Sequence, residues 1–329
     1  MATVRIHKYD NMKGIAIFLI VLGHMLFVTK YTSVKWLHDI IYIIHLPIFF
    51  FVAGYFSKIG PDEPIKAFKR LIIPFIIFNI IYHVFCIVAG IPDKGILFFD
   101  TAFALWFLSA LFMMKIALPI YDKLKYPIIL AFLIALLIGF LDFRSYFGFS
   151  RFIVFTPAFL IGFYYKDIKA NIQKNYQQIS NILNNKIVQI IIALVVVMAC
   201  AFSALYMPFK VISLTSAYRD NFDMILRAIV LILGIAFTLV LTSFVSNNES
   251  FITKIGRNSM AVYVLHVYFI KLIQQNYDLL GISTGLAHLI FAFAVSAAIV
   301  LLLSRDIFTV CINKMCDILF NLLAKTENQ

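Results

Sequence analysis

Long runs of apolar residues, separated by short polar segments, extend over most of the chain. A straight α-helix needs about 20 apolar residues, or somewhat fewer, to cross the ~30 Å hydrocarbon core of a membrane. The pattern predicts ten membrane-spanning helices, at 14–29, 39–57, 71–90, 102–121, 127–141, 152–165, 187–206, 225–246, 258–274 and 285–304. An even number of spans places both termini on the same side of the membrane.

The polar segments between these spans carry unequal numbers of basic residues. Of the 28 Lys and Arg residues, 18 fall in segments on the side of the N-terminus and 8 on the opposite side, counting Arg227 at the start of the eighth span. Cytoplasmic loops of membrane proteins are enriched in Lys and Arg. The distribution therefore predicts that both termini are cytoplasmic.

Two polar segments complete the predicted architecture. The segment 166–186 joins the first six spans to the last four, so we interpret it as a linker inside a single membrane domain, 1–329. Beyond Arg305, polar side chains recur every four residues: Thr309, Asn313, Asp317 and Asn321. This stripe favours a helix on the membrane surface at 305–325 over an eleventh span.

The composition agrees with an all-α polytopic membrane protein. The chain is 63% hydrophobic and 13% charged, with a mean hydropathy of +0.95, whereas about a quarter of a soluble domain is charged. The net charge of +12 is spread over short loops. Nucleic-acid binding needs a clustered basic face, so we predict no nucleic-acid partner.

The first predicted span has a basic residue at its cytoplasmic edge, Lys13, and a histidine near the middle of the membrane, His24. Lys13 and His24 are eleven residues apart, which places them on nearly the same face of a helix and roughly 16 Å apart along its axis. Because ionisable groups inside a membrane are costly, they are candidates for function. Asp10 precedes Lys13 by three residues and is spaced to pair with it; the alternative is an ion pair at the membrane surface, with Lys13 reaching toward lipid phosphates.

Two further histidines are predicted inside the membrane, His266 at a depth comparable to that of His24 and His45 somewhat nearer the outside. We expect them to share a cavity with His24; alternatively, each hydrogen-bonds across helices and stabilises the bundle. The sequence lacks the H-E-x-x-H metal motif and the G-x-S-x-G nucleophile motif, so we predict no metal and favour a histidine acting as base on a bound hydroxyl. Asn258 and Ser259 are predicted to cap the ninth span.

The stretch YDNMKGIAIFLIVLGHM resembles the opening helix of the acyltransferase 3 family, whose signature is a basic residue, ten others and a histidine. Lys13 and His24 match this spacing, with lysine where many relatives have arginine; lysine lacks the planar fork of arginine. The similarity continues in order through HLPIFFFVAGYFSK, KAFKRLIIPF, LWFLSALF and GRNSMAVYVLHVYF. Together these segments resemble the fucose O-acetylase-like branch.

The resemblance implies a multi-pass enzyme of the bacterial cytoplasmic membrane. It implies transfer of an acyl group, commonly acetyl from acetyl-CoA on the cytoplasmic side, to a hydroxyl of a cell-surface glycan or lipid-linked sugar. Another short acyl-CoA, such as succinyl-CoA, is an alternative donor, and no permanently bound cofactor is expected. Lys13, Lys69 and Arg70 lie on the basic side, where we expect them to hold the phosphates of the donor.

In this interpretation His24 is the catalytic base and Asp10 fixes Lys13. His45, Trp106, Tyr263 and His266 are predicted to line the acceptor side, although an aromatic content of 16% makes a chance Trp or Tyr on any span common. Direct transfer and passage through an acyl-histidine both stay open. The alternative function is a transporter or exporter of sugar or polysaccharide intermediates; the scarcity of Asp and Glu in the spans and the lack of paired broken helices disfavour it.

Overall fold

The computed structural model describes residues 5–28, 32–92, 104–141 and 146–323. These residues form helices and connecting turns, with no strand among them. The helices of more than four residues are α1 His7–Phe27, α2 Lys35–Tyr55, α3 Glu63–Val88, α4 Trp106–Tyr121, α5 Pro127–Leu137, α6 Phe149–Asn175, α7 Gln177–Asn184, α8 Lys186–Tyr206, α9 Asn221–Phe244, α10 Phe251–Arg257, α11 Ser259–Gln275, α12 Gly285–Leu303 and α13 Asp306–Leu323.

A helix overlaps each of the ten predicted spans. Within the described residues, six helices are long and apolar enough to cross a membrane, namely α1, α2, α3, α8, α9 and α12, while α4 and α5 are shorter apolar helices. Residue 29 of the first predicted span, residues 102–103 of the fourth and residues 324–325 of the C-terminal helix lie outside the described residues. The number of helices that cross the membrane and the cytoplasmic position of both termini stay predictions.

Helix α1 begins at His7, seven residues before the predicted start of the first span. The early turns are helical because their polar side chains are bound by distant parts of the chain. The buried Asn11 Nδ2 donates to the carbonyl oxygens of Ser246 and Asn248, both at 3.0 Å, and its Oδ1 accepts from Thr253 Oγ1 at 2.6 Å. Asn11 therefore joins the start of α1 to α10 and to the segment that precedes α10.

Helices α2 and α6 pack closely along their length. A glycine on each helix permits the approach: a Cβ atom at Gly54 would collide with the carbonyl oxygen of Phe159, and one at Gly162 with that of Phe51. Small residues at helix crossings are the usual means of close packing in membranes, where van der Waals contact drives association. Helix α1 in turn packs against α2, α10 and α12, so α1 and α2 lie at the centre of the bundle.

The predicted linker 166–186 is mostly helical. It comprises the end of α6 and all of α7. Its polar composition predicted a connection between spans. A helix, however, forms its main-chain hydrogen bonds internally, so a polar segment outside the apolar core can also be helical.

The predicted cap at Asn258 is wrong. Asn258 does occupy the position before α11, with Ser259 as the first helical residue, but its side chain makes no capping hydrogen bond. Its Nδ2 donates instead to the Ser304 carbonyl and to Asp306 Oδ1, both at 2.8 Å, and its Oδ1 accepts from Thr309 Oγ1 at 2.7 Å. Because α10 leads almost directly into α11, the main-chain N–H of Asn258 bonds to the carbonyl of Lys254, and the side chain is left to anchor α13.

Helix α13 packs on the bundle through one face. Ile312 and Cys316 are buried, and Lys69 of α3 pairs with Asp317 at 2.9 Å and lies 5.0 Å from the ring centre of Phe320. At its first residue, the hydrogen bond from Asn258 and the ammonium of Lys254 lower the pKa of the Asp306 carboxyl. The helix is not among the six that are long and apolar enough to span; its position on the membrane surface stays a prediction.

Candidate active site

A cavity of about 320 Å³ lies between α1, α2, α4, α6 and α11. Four residues selected from the sequence line it: His24, His45, Trp106 and Tyr263. Other lining residues, not selected from the sequence, are Ile20, Phe27, Tyr42, Leu46, Ala104, Phe107, Arg151, Phe209, Ser213 and Thr215. The wall is thus mainly aromatic and aliphatic, with a few polar groups that converge, as in most small-molecule sites.

His24 lies in the last turn of α1, three residues before the helix ends. Its imidazole stacks on that of His266, with ring centres 5.4 Å apart and an angle of 20° between the planes. The ring of Tyr42 meets His24 edge-on at 6.5 Å. Since α1 is continuous from His7 to Phe27, Lys13 and His24 keep the axial separation expected from their spacing.

The hydrogen bonds of the other two histidines define their tautomers. His45 Nδ1 lies 2.5 Å from the Ile41 carbonyl oxygen, and His266 Nδ1 lies 2.7 Å from the Tyr263 carbonyl oxygen. A carbonyl oxygen only accepts, so each Nδ1 carries the proton and donates it, which leaves Nε2 with a lone pair. Each of these bonds joins two residues of the same helix, α2 for His45 and α11 for His266. Neither bond is therefore a hydrogen bond between helices, which was the alternative role for these histidines.

Two predicted aromatic residues form part of the cavity wall. Trp106 is the first residue of α4 and is nearly buried, with its ring beside that of Phe155. Tyr263 donates its hydroxyl hydrogen to the Ala104 carbonyl. The tyrosine hydroxyl is therefore engaged with the main chain, and its ring rather than its hydroxyl is available to a ligand.

Five predicted residues are not part of the cavity lining: Asp10, Lys13, Lys69, Arg70 and His266. His266 was expected to share the cavity, but it is fully buried and reaches the site only through its stack on His24. Asp10 is buried and accepts from Lys13 Nζ and Arg5 Nε, each at 2.8 Å, as the i, i+3 spacing of Asp10 and Lys13 predicted. Lys69 is paired with Asp317 of α13, as described above, and Arg70 is exposed. The basic residues selected for the donor thus lie on other parts of the structure, with Lys13 connected to the cavity through α1.

Among the lining residues that were not predicted from the sequence, Arg151 and Tyr42 contact predicted ones. Arg151 was counted as a loop charge before the sixth span, but it is the third residue of α6, and its guanidinium carbon lies 4.2 Å from the ring centre of Trp106. Tyr42 packs edge-on against His45, with ring centres 5.2 Å apart. The three-residue spacing of Tyr42 and His45 on one helix was a signal that could have found the tyrosine; no such signal existed for Arg151.

A buried histidine and carboxylate, paired with an exposed lysine, lie beside the cavity at the start of α2. His38 Nδ1 is 2.8 Å from Asp39 Oδ1, and Lys35 pairs with the same carboxylate. The ring of His38 packs against Phe209, which lines the cavity, at 4.9 Å between ring centres. Lys35 and His38 precede residue 39, the predicted start of the second span, so the hydrophobic pattern did not indicate this cluster. Across the described residues, no group of three or more His, Cys, Asp or Glu side chains could hold a metal ion.

The fold and the cavity define an all-helical, multi-pass membrane protein with a histidine-containing site inside the bundle. The family model described as an acyltransferase domain, that of the acyltransferase 3 family, matches residues 6–305. The chain belongs to this family, as the resemblance of its motifs predicted, and is a membrane acyltransferase. No curated protein and no solved structure matches the chain.

Proposed function

We propose that this protein is an O-acyltransferase that moves an acyl group, most simply acetyl from acetyl-CoA, to a hydroxyl of a cell-surface glycan or lipid-linked sugar. One observation carries the proposal. His24, the histidine of the family spacing, lines a cavity with aromatic walls and stacks on a second imidazole. We place the protein in the fucose O-acetylase-like branch and in the bacterial cytoplasmic membrane.

The proposed reaction uses His24 as the general base. The neutral imidazole takes the proton of the acceptor hydroxyl as the hydroxyl oxygen attacks the carbonyl carbon of the thioester, and a cation or hydrogen-bond donor stabilises the oxygen that becomes negative. When the C–S bond breaks, the imidazolium returns this proton to the thiolate of the donor. General-base assistance of this kind is worth about 10²- to 10⁴-fold in rate.

The donor is proposed to bind from the basic side of the protein. Lys13, fixed by Asp10, and the pair Lys69 and Arg70 supply positive charge for the phosphates of an acyl-CoA. Lys69 must then exchange its contact with Asp317 for one with the donor, which costs little because exposed ion pairs contribute about 0–1 kcal/mol.

The acceptor is proposed to bind in the cavity. The rings of Trp106 and Tyr263 present apolar faces that suit the C–H surface of a sugar, while His45 keeps an Nε2 that accepts a hydrogen bond from a hydroxyl. His266 does not line the cavity and is proposed to act on the acceptor side through its stack on His24. A pocket with mostly apolar walls and few polar groups fixes orientation through those groups.

The test is release of free thiol from acetyl-CoA by purified protein with a panel of sugar and glycan acceptors. We expect His24→Ala to lower kcat by about 10²- to 10⁴-fold and Lys13→Ala to impair turnover. His288→Ala is the matched control, because this buried histidine bonds to Tyr277 at 3.0 Å and does not line the cavity. Normal turnover by folded His24→Ala would refute the base assignment, and no thiol release by the wild-type protein would favour the transporter.

A further inference from the structure

Arg151 brings a positive charge to the wall of the cavity that holds His24. Its guanidinium is stacked on the indole of Trp106, with 4.2 Å between the guanidinium carbon and the ring centre. Both residues line the cavity, together with His24 and Tyr263. A guanidinium stacked on a ring keeps the N–H groups at its edge available to donate hydrogen bonds.

The position of Arg151 is set by a rigid turn. Phe147 and Gly148, just before α6, both adopt positive φ angles, of 53° and 73°. Ser109 of α4 donates from Oγ to the Phe147 carbonyl oxygen at 2.7 Å, and a Cβ atom at position 148 would lie 2.8 Å from the Trp106 carbonyl oxygen. The start of α6 is thus fixed against α4, which sets the guanidinium relative to the cavity.

The charge of Arg151 is not balanced by a carboxylate. Among the described residues, no Asp or Glu oxygen lies within 4.0 Å of its guanidinium nitrogens. The contact that the structure gives its guanidinium is the ring of Trp106. A cation held inside a helical bundle without a counter-ion is costly and marks a functional site. The natural partner is negative charge that arrives with the substrate or develops in the reaction.

We propose that Arg151 is a catalytic residue that donates hydrogen bonds to the carbonyl oxygen of the transferred acyl group. This inference rests on the proposed function. As the acceptor oxygen attacks and its proton passes to His24, the C=O electron pair moves onto the carbonyl oxygen, where the guanidinium stabilises it. When the pair returns, the C–S bond breaks and the thiolate takes the proton from His24. Arginine stays protonated throughout, so it stabilises charge and takes no part in proton transfer.

The test compares Arg151→Gln and Arg151→Lys with the wild-type protein in the thiol-release assay at saturating donor and acceptor. Loss of one oxyanion donor typically lowers kcat by about 10²- to 10³-fold, which we expect for glutamine with little change in KM. Lysine keeps the positive charge but lacks the planar guanidinium group, so Arg151→Lys should retain more activity than Arg151→Gln. Arg227→Gln is the matched control, since Arg227, like Arg151, is stacked on a ring, 4.5 Å from the ring centre of Tyr218, but lies outside this cavity.

Gel filtration and the thermal midpoint in detergent show whether each variant is folded. If Arg151→Gln does not fold, the test uses kcat of Arg151→Lys and the recovery of kcat when free guanidinium ion is added to Arg151→Ala. A folded Arg151→Gln with kcat within about threefold of wild type would overturn the proposal. A variant that only raised KM for an anionic acceptor would also overturn it, because Arg151 would then bind the acceptor.

If His24→Ala is normal while Arg151→Gln is slow, only the base assignment fails. If the wild-type protein releases no thiol, the proposed function fails and this inference with it.

Discussion

The imidazole rings of His24 and His266 stack at 5.4 Å, although the two residues are far apart in the chain and belong to α1 and α11. The contact has an electrostatic consequence. Two imidazolium ions at this distance would repel by about 3 kcal/mol at an effective dielectric constant near 20. The stack therefore disfavours double protonation, which helps to keep a neutral imidazole available as a base.

We predict that a flat ring at position 266 matters more than an ionisable one. In His266→Phe the ring still supports that of His24, so transfer should stay within about threefold of wild type. In His266→Ala the His24 ring loses its support, and because a misplacement of about 1 Å can lower a rate by about 10²-fold, we expect a loss of tenfold or more. Thiol-release kinetics on both folded variants measure this. Equal and large losses would instead indicate that the His266 imidazole itself binds a reacting group.

Asp10→Asn should weaken donor binding rather than chemistry. The carboxylate holds Lys13 at 2.8 Å, and a charge-assisted hydrogen bond of this kind is worth roughly 1.5 kcal/mol. We expect KM for acetyl-CoA to rise about tenfold, with kcat changed less. The control is Arg5→Ala, which removes the more exposed partner of the same carboxylate. If Asp10→Asn changed only the thermal midpoint and left both kinetic constants intact, the pair would be purely structural.

Asp317→Asn should have the opposite effect on the donor. The carboxylate of Asp317 engages Lys69 at 2.9 Å, and both side chains are partly exposed. The Asp317 carboxylate competes with the donor phosphates for Lys69, and the asparagine variant removes this competition. KM for acetyl-CoA should therefore fall by up to about fivefold, which corresponds to the free energy of an exposed ion pair. The effect should disappear in the double variant with Lys69→Ala and at high salt. A rise in KM would show that α13 supports the donor site directly.

Asn258→Asp separates the observed role of Asn258 from the predicted one. Aspartate is as good a helix cap as asparagine, so a capping residue would tolerate the change. In the structure, however, Asn258 Nδ2 donates to the Ser304 carbonyl and to Asp306. An aspartate cannot donate and would repel Asp306, so we expect a loss of about 1–3 kcal/mol. Thermal unfolding in detergent measures the loss, and protease accessibility of α13 shows whether this helix is released. An unchanged thermal midpoint would contradict the anchoring role.

Much of the fold follows from the sequence because partition into a membrane depends on the local run of residues. Each apolar run that predicted a span overlaps a helix. The predicted ends of the helices are wrong where polar side chains bind partners that are distant in the sequence. The polar start of α1 is helical because Asn11 bonds to residues more than 230 positions away, and Asn258 is not a cap because α13 packs next to it.

Part of the candidate site was also predictable from the sequence, and part depends on how the helices pack. The spacing of Lys13 and His24, and the order of the surrounding motifs, pointed to His24 and to the acyltransferase family from sequence alone, since a helix converts an eleven-residue interval into a shared face. The sequence also selected His45, Trp106, Tyr263 and His266. It could not show that the first three line one cavity with His24, or that His266 stacks on His24, because the rotation of each helix about its axis is set by packing.

Arg151 is the sharpest example of what only the tertiary structure decided. In the sequence it is one basic residue at the edge of an apolar run and reads as a loop charge. The turn at Phe147 and Gly148 and the ring of Trp106 place it in the cavity wall. The sequence by itself determined the helices, the membrane class and the family, because hydrophobicity and motif spacing are properties of neighbouring residues. Which side chains share one cavity was decided by contacts between helices that are distant in sequence.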